Sequence, residues 1–127
     1  MESIKLEPTK RTPGIDFNFS AGTFAISGES YPEDVNKFFG PLIEQLEQHL
    51  QSLSGGSATV TFDLIYFNST TAKILMGLFE TLEEAAAAGN AITIAWSYAA
   101  DDSNMEELGQ EFAEDLVHAN FAMVPKS

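Results

Sequence analysis

The chain has 127 residues and a formal net charge of −13, from 19 Asp and Glu against 6 Lys and Arg, with 44% hydrophobic residues, ten Phe and no Cys. That is one domain's length with enough apolar material for a core, so disorder is excluded for most of the chain, and the acidity excludes binding to nucleic-acid phosphates or anionic membrane surfaces. The lack of Cys rules out disulfides, thiolate catalysis and Cys-ligated zinc, and no apolar run reaches the roughly 18–20 residues of a membrane span. Residues 1–12 are polar and read as an N-terminal tail or short edge segment, ahead of a single domain over 13–127. With no direct membrane insertion expected and no signal-peptide pattern at the start, the expected location is cytoplasmic.

From Ile15 the apolar residues alternate: Ile15, Phe17 and Phe19, then Phe24 and Ile26, with Ala21-Gly22 between them. That period of two around a small-residue turn predicts a β-hairpin. Ser30 with Tyr31-Pro32-Glu33-Asp34 has the hydroxyl, early proline and acids of a helix start. Val35, Phe39, Leu42, Leu46, Leu50 and Leu53 follow at helical spacing, and Gly40-Pro41 predicts a kink or a break into two helices. Thr59 to Phe67 is rich in β-branched and aromatic residues, and both alternating faces are largely apolar apart from Thr61 and Asp63, which predicts a central strand covered on each side. A helix is expected from Asn68-Ser69-Thr70-Thr71 to about Ala88, with Leu75, Leu78, Phe79, Leu82 and Ala86 as its buried stripe and Gly89-Asn90 closing it. Ala91 to Tyr98 reads as a strand with Ile92, Ile94, Trp96 and Tyr98 on one face. Ser103 and Glu106 suggest a capping box for a last helix with Met105, Leu108, Phe112 and Leu116 inward, and Phe121 to Val124 a short final strand. The expected fold is α/β, a mixed sheet of four to five strands with an N-terminal hairpin and about three helices.

Catalytic and metal-binding patterns are sparse. His49 and His118 fall on different predicted helices, and no HExxH, GxSxG or glycine-rich phosphate loop occurs. Asp101, Asp102 and Glu106 match no calcium loop, so no metal site, cofactor or catalytic residue is expected. Ten acids and no cation lie between Lys73 and Lys126, a pattern that reads first as a solubilising surface and otherwise as a docking face for a basic partner.

Asn68, Ser69, Thr70 and Thr71 form a polar cluster between a strand and a long helix, at the C-terminal edge of the sheet where exposed functional groups concentrate in open α/β folds. A phosphate on a hydroxyl there would meet the unpaired N–H groups and positive dipole end of the helix. The other reading of the same residues is plain helix capping. One to two turns on, Lys73, Met76, Gly77 and Glu80 face outward, with Met76 an adaptable apolar spot.

The succession of strand, hydroxyl cluster, helix, glycine and strand resembles the STAS domains of bacterial anti-sigma-factor antagonists, although Asn68-Ser69-Thr70-Thr71 lacks the acid and glycine of their usual turn. A closer resemblance is to the SiaC family. It is carried by Thr12-Pro13, Gly28-Glu29-Ser30-Tyr31-Pro32-Glu33, the run Tyr66 to Lys73, Leu82-Glu83-Glu84-Ala85, Trp96-Ser97-Tyr98 and Glu107 to Phe112. The resemblance implies a STAS-like fold and a partner switch. In that switch a Ser/Thr protein kinase phosphorylates the hydroxyl after the Asn and a PP2C-type phosphatase removes the phosphate. The unphosphorylated protein binds and activates a diguanylate cyclase, which raises cyclic di-GMP and promotes biofilm or aggregation. By position the acceptor is Ser69, with Thr70 as second candidate because family members tend to carry threonine at that place. Asn68, Thr71, Lys73, Met76, Gly77 and Glu80 are the expected partner-binding residues. A STAS antagonist acting on transcription, and a small-molecule-binding domain using the strand-end pocket, are the alternatives.

Overall fold

The structure is a computed structural model and describes residues 2–126. Six strands form one sheet whose order in space is their order in the chain: β1 (Ile4–Leu6), β2 (Gly14–Asn18), β3 (Thr23–Ser30), β4 (Ser57–Phe67), β5 (Ala91–Ala99) and β6 (Asn120–Lys126). The first three pair antiparallel and β3 to β6 run parallel. Three helices supply the crossovers: α1 (Val35–Ser52), α2 (Ser69–Ala87) and α3 (Ser103–Ala113).

The hairpin forms as the alternation predicts, and Ile15, Phe17, Phe19, Phe24 and Ile26 are all buried. The sheet has six strands where four to five were expected. The additional one is β1, in which Ile4 to Leu6 pair along β2, so the polar opening of the chain supplies an edge strand. The final strand is also longer than Phe121–Val124.

β4 is interior in the sheet, but it is not covered on each side. Ala58, Val60, Phe62 and Leu64 are buried, while Ser57, Thr59 and Ile65 on the other face are exposed. The cause is topological. Every parallel crossover steps to the next strand in the same direction, and right-handed connections then put all three helices over one face. The opposite face carries Thr59, Thr61 and Asp63, Thr93 and Ala95, and Asn120 and Ala122, the small and polar residues of a solvated surface.

Local chemistry differs from expectation in three places. Asp34, not Ser30, caps α1, its carboxylate accepting the Lys37 N–H, while Ser30 ends β3 and is fully buried. α1 runs unbroken through Gly40-Pro41, and both residues are exposed, so the carbonyl that loses its proline partner has water within reach. Asp102 caps α3 in place of Ser103, accepting the Met105 N–H. The core under α2 and α3 is aromatic: Phe62, Phe67, Phe79 and Phe112 pack around Trp96, whose indole N–H donates to the Met105 carbonyl at 3.0 Å. Trp96 lies so close to Gly109 that a Cβ there would sit 2.5 Å from the indole.

Candidate functional site

The site grows out of the β4–α2 junction. β4 pairs with β5 only as far as Phe62, and beyond that point it continues beside β3 alone, after a register shift at Gly28/Glu29. The strand end therefore projects, exposing Ile65 and Tyr66, with the Tyr31 ring edge-on to Tyr66 at 5.9 Å between centroids. The chain then turns at Asn68 into α2.

Asn68 organises the turn through both its backbone and its side chain. Its N–H donates to the Ser30 carbonyl at 3.1 Å, and its Oδ1 accepts the Thr71 N–H and the Thr70 hydroxyl, each at 3.0 Å. The three hydroxyls that follow have different fates. Thr71 is fully buried, and its hydroxyl donates to the same Ser30 carbonyl at 3.2 Å. That commits the Thr71 proton, so the Ser30 hydroxyl, 2.9 Å away, donates to the Thr71 oxygen. Thr70 is exposed but its hydroxyl is held by Asn68. Ser69 is exposed, and among the described residues its hydroxyl has no hydrogen-bond partner. The Thr71 and Ala72 amides are taken by Asn68, while those of Ser69 and Thr70 have no partner among the described residues at the start of the helix.

The expected partner-binding residues do not form one patch. Thr71 is a correction: it is an internal tether between α2 and β3 and offers nothing to a partner. Lys73 and Gly77 line a groove between α1 and α2, where Gly40 and Gly77 leave open space. Met76, just over half exposed, and Glu80 line a second groove, between α2 and α3. Ser69 and Asn68 sit at the end of the ridge that separates the two. The collar of Ile65, Tyr66 and Tyr31 was missed because the whole β4 segment reads as buried. The clue was present in Ile65-Tyr66-Phe67, three large residues in a row where a one-faced strand alternates.

Glu83, read from sequence only as part of an acidic surface, is a clamp. Its carboxylate accepts the backbone N–H groups of Val117, His118 and Ala119 at 2.9–3.1 Å, and His118 Nδ1 lies 2.9 Å away. The Ala119 amide, helped by His118 and Val117, holds its pKa down to about 2, against an opposing push from desolvation. His118 is thus part of the α3–β6 connection and not of a helix end. His49 packs edge-on to Phe19 and tilted against Phe24, at 5.3 and 5.6 Å between ring centroids, and burial lowers its pKa. Among the described residues no three His, Asp or Glu side chains are grouped to hold a metal, and no helix is long and apolar enough to cross a membrane.

The family described as SiaC family regulatory phosphoprotein matches residues 6–126. An uncharacterized protein of Pseudomonas aeruginosa strain UCBPP-PA14 is 32% identical over 117 residues, covering 91% of this chain and 90% of that protein. Among solved structures, apo-SiaC of Pseudomonas aeruginosa superposes with a TM-score of 0.88 at 31% identity, covering 98% of this chain and 99% of that one. A second structure, of the diguanylate cyclase SiaD in complex with its activator SiaC from the same species, gives 0.91 at 29% identity over 97% and 99% of the two chains.

Proposed function

The chain belongs to the SiaC family of regulatory phosphoproteins, and from that premise we propose that it is a phosphorylation-controlled partner switch whose unmodified form binds and activates a diguanylate cyclase. In this reading a Ser/Thr protein kinase phosphorylates Ser69 and a PP2C-type phosphatase restores the hydroxyl, the logic of STAS-like antagonists. The observation that carries it is the sorting of the three hydroxyls: of these, Ser69 alone is both exposed and without a hydrogen-bond partner among the described residues, at the start of a helix. Thr70, held by Asn68, is the secondary acceptor.

A phosphate on Ser69 would gain about 0.3–1 kcal/mol from the helix dipole, and more from direct hydrogen bonds to the Ser69 and Thr70 amides. Lys73, one turn on, is at the spacing at which helix side chains pair. The dianion would stand beside Ile65 and Tyr66, so a partner covering that collar would have to desolvate it. Refolding is not required, because the Thr71–Ser30 tether fixes the helix start from inside.

Intact mass and peptide mapping of protein from its native host, before and after PP2C treatment, tests the modification. A removable addition of about 80 daltons on Ser69 is expected. Ser69→Ala should keep cyclase activation and lose its control. Ser69→Asp should reduce it only in part, since a carboxylate has less charge than phosphate. Loss of activation in a folded Ser69→Ala protein would make the hydroxyl a contact and defeat the switch.

A further inference from the structure

The face of the sheet that the helices leave open differs from the rest of the molecule in charge and in side-chain size. Asp16, Ala25, Thr61, Ala95 and Ala122 lie side by side across it, and Thr23, Thr59 and Thr93 form the next row. From β3 to β5 these rows hold nothing larger than threonine. Val124, 40% exposed, adds apolar surface on β6. The charged residues of the face are Lys5, Asp16, Asp63 and Lys126, with Glu29 at the rim past the bulge. Two cations against three acids leave the face with −1 of the chain's −13. The acids of α2 and α3 stand on the opposite side of the molecule. Short side chains also lose little rotamer freedom when they are covered.

We infer that this face binds a second copy of the chain, sheet against sheet about a two-fold axis. Charge selects both the occupant and the geometry. Two chains of −13 that met through their helices would bring like charges within the screening length, about 8 Å at physiological salt. Sheet against sheet, with about 10 Å between the sheets and a helix layer about 10 Å beyond each, the acid-bearing layers lie about 30 Å apart. A strongly charged partner of another kind finds no net attraction on a face so nearly balanced. The sheet edges suit a second copy less well. β1 has three residues. The Lys126 carbonyl faces β5, where it accepts the Ala100 N–H, so alternation turns Pro125, which has no N–H, to the outer edge of β6. Six strands about 4.8 Å apart, each covered over about five residues of 3.3 Å, make a footprint of about 400 Å² per copy. That is about half a standard interface, so the dimer is weak, with a dissociation constant on the order of 0.1 mM. It is independent of the switch proposed above, whose turn lies past the end of β4.

Sedimentation equilibrium at physiological salt, over protein concentrations from about 5 μM to about 1 mM, tests this. The mean mass of the parent should rise from 13.8 kDa toward twice that value. Thr61→Lys puts a long charged side chain at the middle of the face in both copies and should hold the protein at 13.8 kDa throughout. Thr59→Lys, at an exposed position on the same strand, should weaken the dimer at least about tenfold, and it covers the case of a Thr61→Lys protein that does not fold. Glu107→Lys, exposed on α3, should change the dissociation constant by less than about twofold, because its charge is screened from the other copy. A parent that stays at 13.8 kDa up to about 1 mM overturns the inference and leaves the face to water. A dimer that survives Thr59→Lys, or that Glu107→Lys alters as much, also overturns it, since the copies then meet elsewhere.

Discussion

Asn68 carries more of the site than its size suggests. Its side-chain oxygen caps α2 through the Thr71 amide and at the same time occupies the Thr70 hydroxyl, leaving Ser69 as the one without a partner among the described residues. Asn68→Ala should therefore do two things. It should cost about 1 kcal/mol of stability as a lost N-cap, read by denaturant unfolding. It should also release Thr70, so that peptide mapping after kinase treatment finds phosphate on Thr70 as well as Ser69; phosphate confined to Ser69 would show that Asn68 does not select the acceptor. The composition of this turn was legible in the sequence, because a run of capping residues after a strand needs no distant information. Which hydroxyl turns inward was not. That is decided by Ser30, 41 positions away, whose carbonyl and hydroxyl both meet Thr71.

Between elements, the Glu83 carboxylate joins α2 to the loop that delivers β6. Its pKa near 2 lies below the ordinary 4.5, so the clamp contributes stability that is fully present above about pH 4.5 and is lost as pH falls toward 2. Glu83→Gln should lower the melting temperature at neutral pH and flatten its decline between pH 4.5 and 2. A decline as steep as the parent's would place the acid lability elsewhere. Periodicity identified the hairpin and α2 because each buries one face of alternating or helical pattern, and β5 because Ile92, Ile94, Trp96 and Tyr98 alternate inward, with Ser97 buried beside them. It misjudged β4, since Ile65 and Tyr66 are as apolar as core residues yet stand on a strand end that β5 does not reach. The clamp itself had no local signature, because a glutamate serving three backbone amides 34 to 36 residues away looks like any other surface acid.

At the scale of the whole molecule, a charge of −13 on 127 residues is a repulsion the fold has to withstand. Ten of the 19 acids fall between Lys73 and Lys126, on or next to α2 and α3 and around the groove between them. Raising monovalent salt from about 0.01 to 0.15 M shortens the screening length from roughly 30 to 8 Å, and thermal unfolding should move to higher temperature over that range. A melting temperature that falls with salt would mean that favourable pairs, such as Asp63 with Lys126, outweigh the repulsion.

Because the strands lie in the sheet in the order in which they are synthesised, each one emerging from the ribosome finds its neighbour already in place. The antiparallel hairpin can serve as the template, and the later strands can add to the growing edge one at a time. A nascent chain ending before Val117 would already hold the Ser69 turn and its tether to Ser30. It would lack the loop that Glu83 grips and the last strand of the sheet. Birth order thus separates the two surfaces: the turn that would receive the phosphate is assembled first, and the clamp beside the acidic groove closes last.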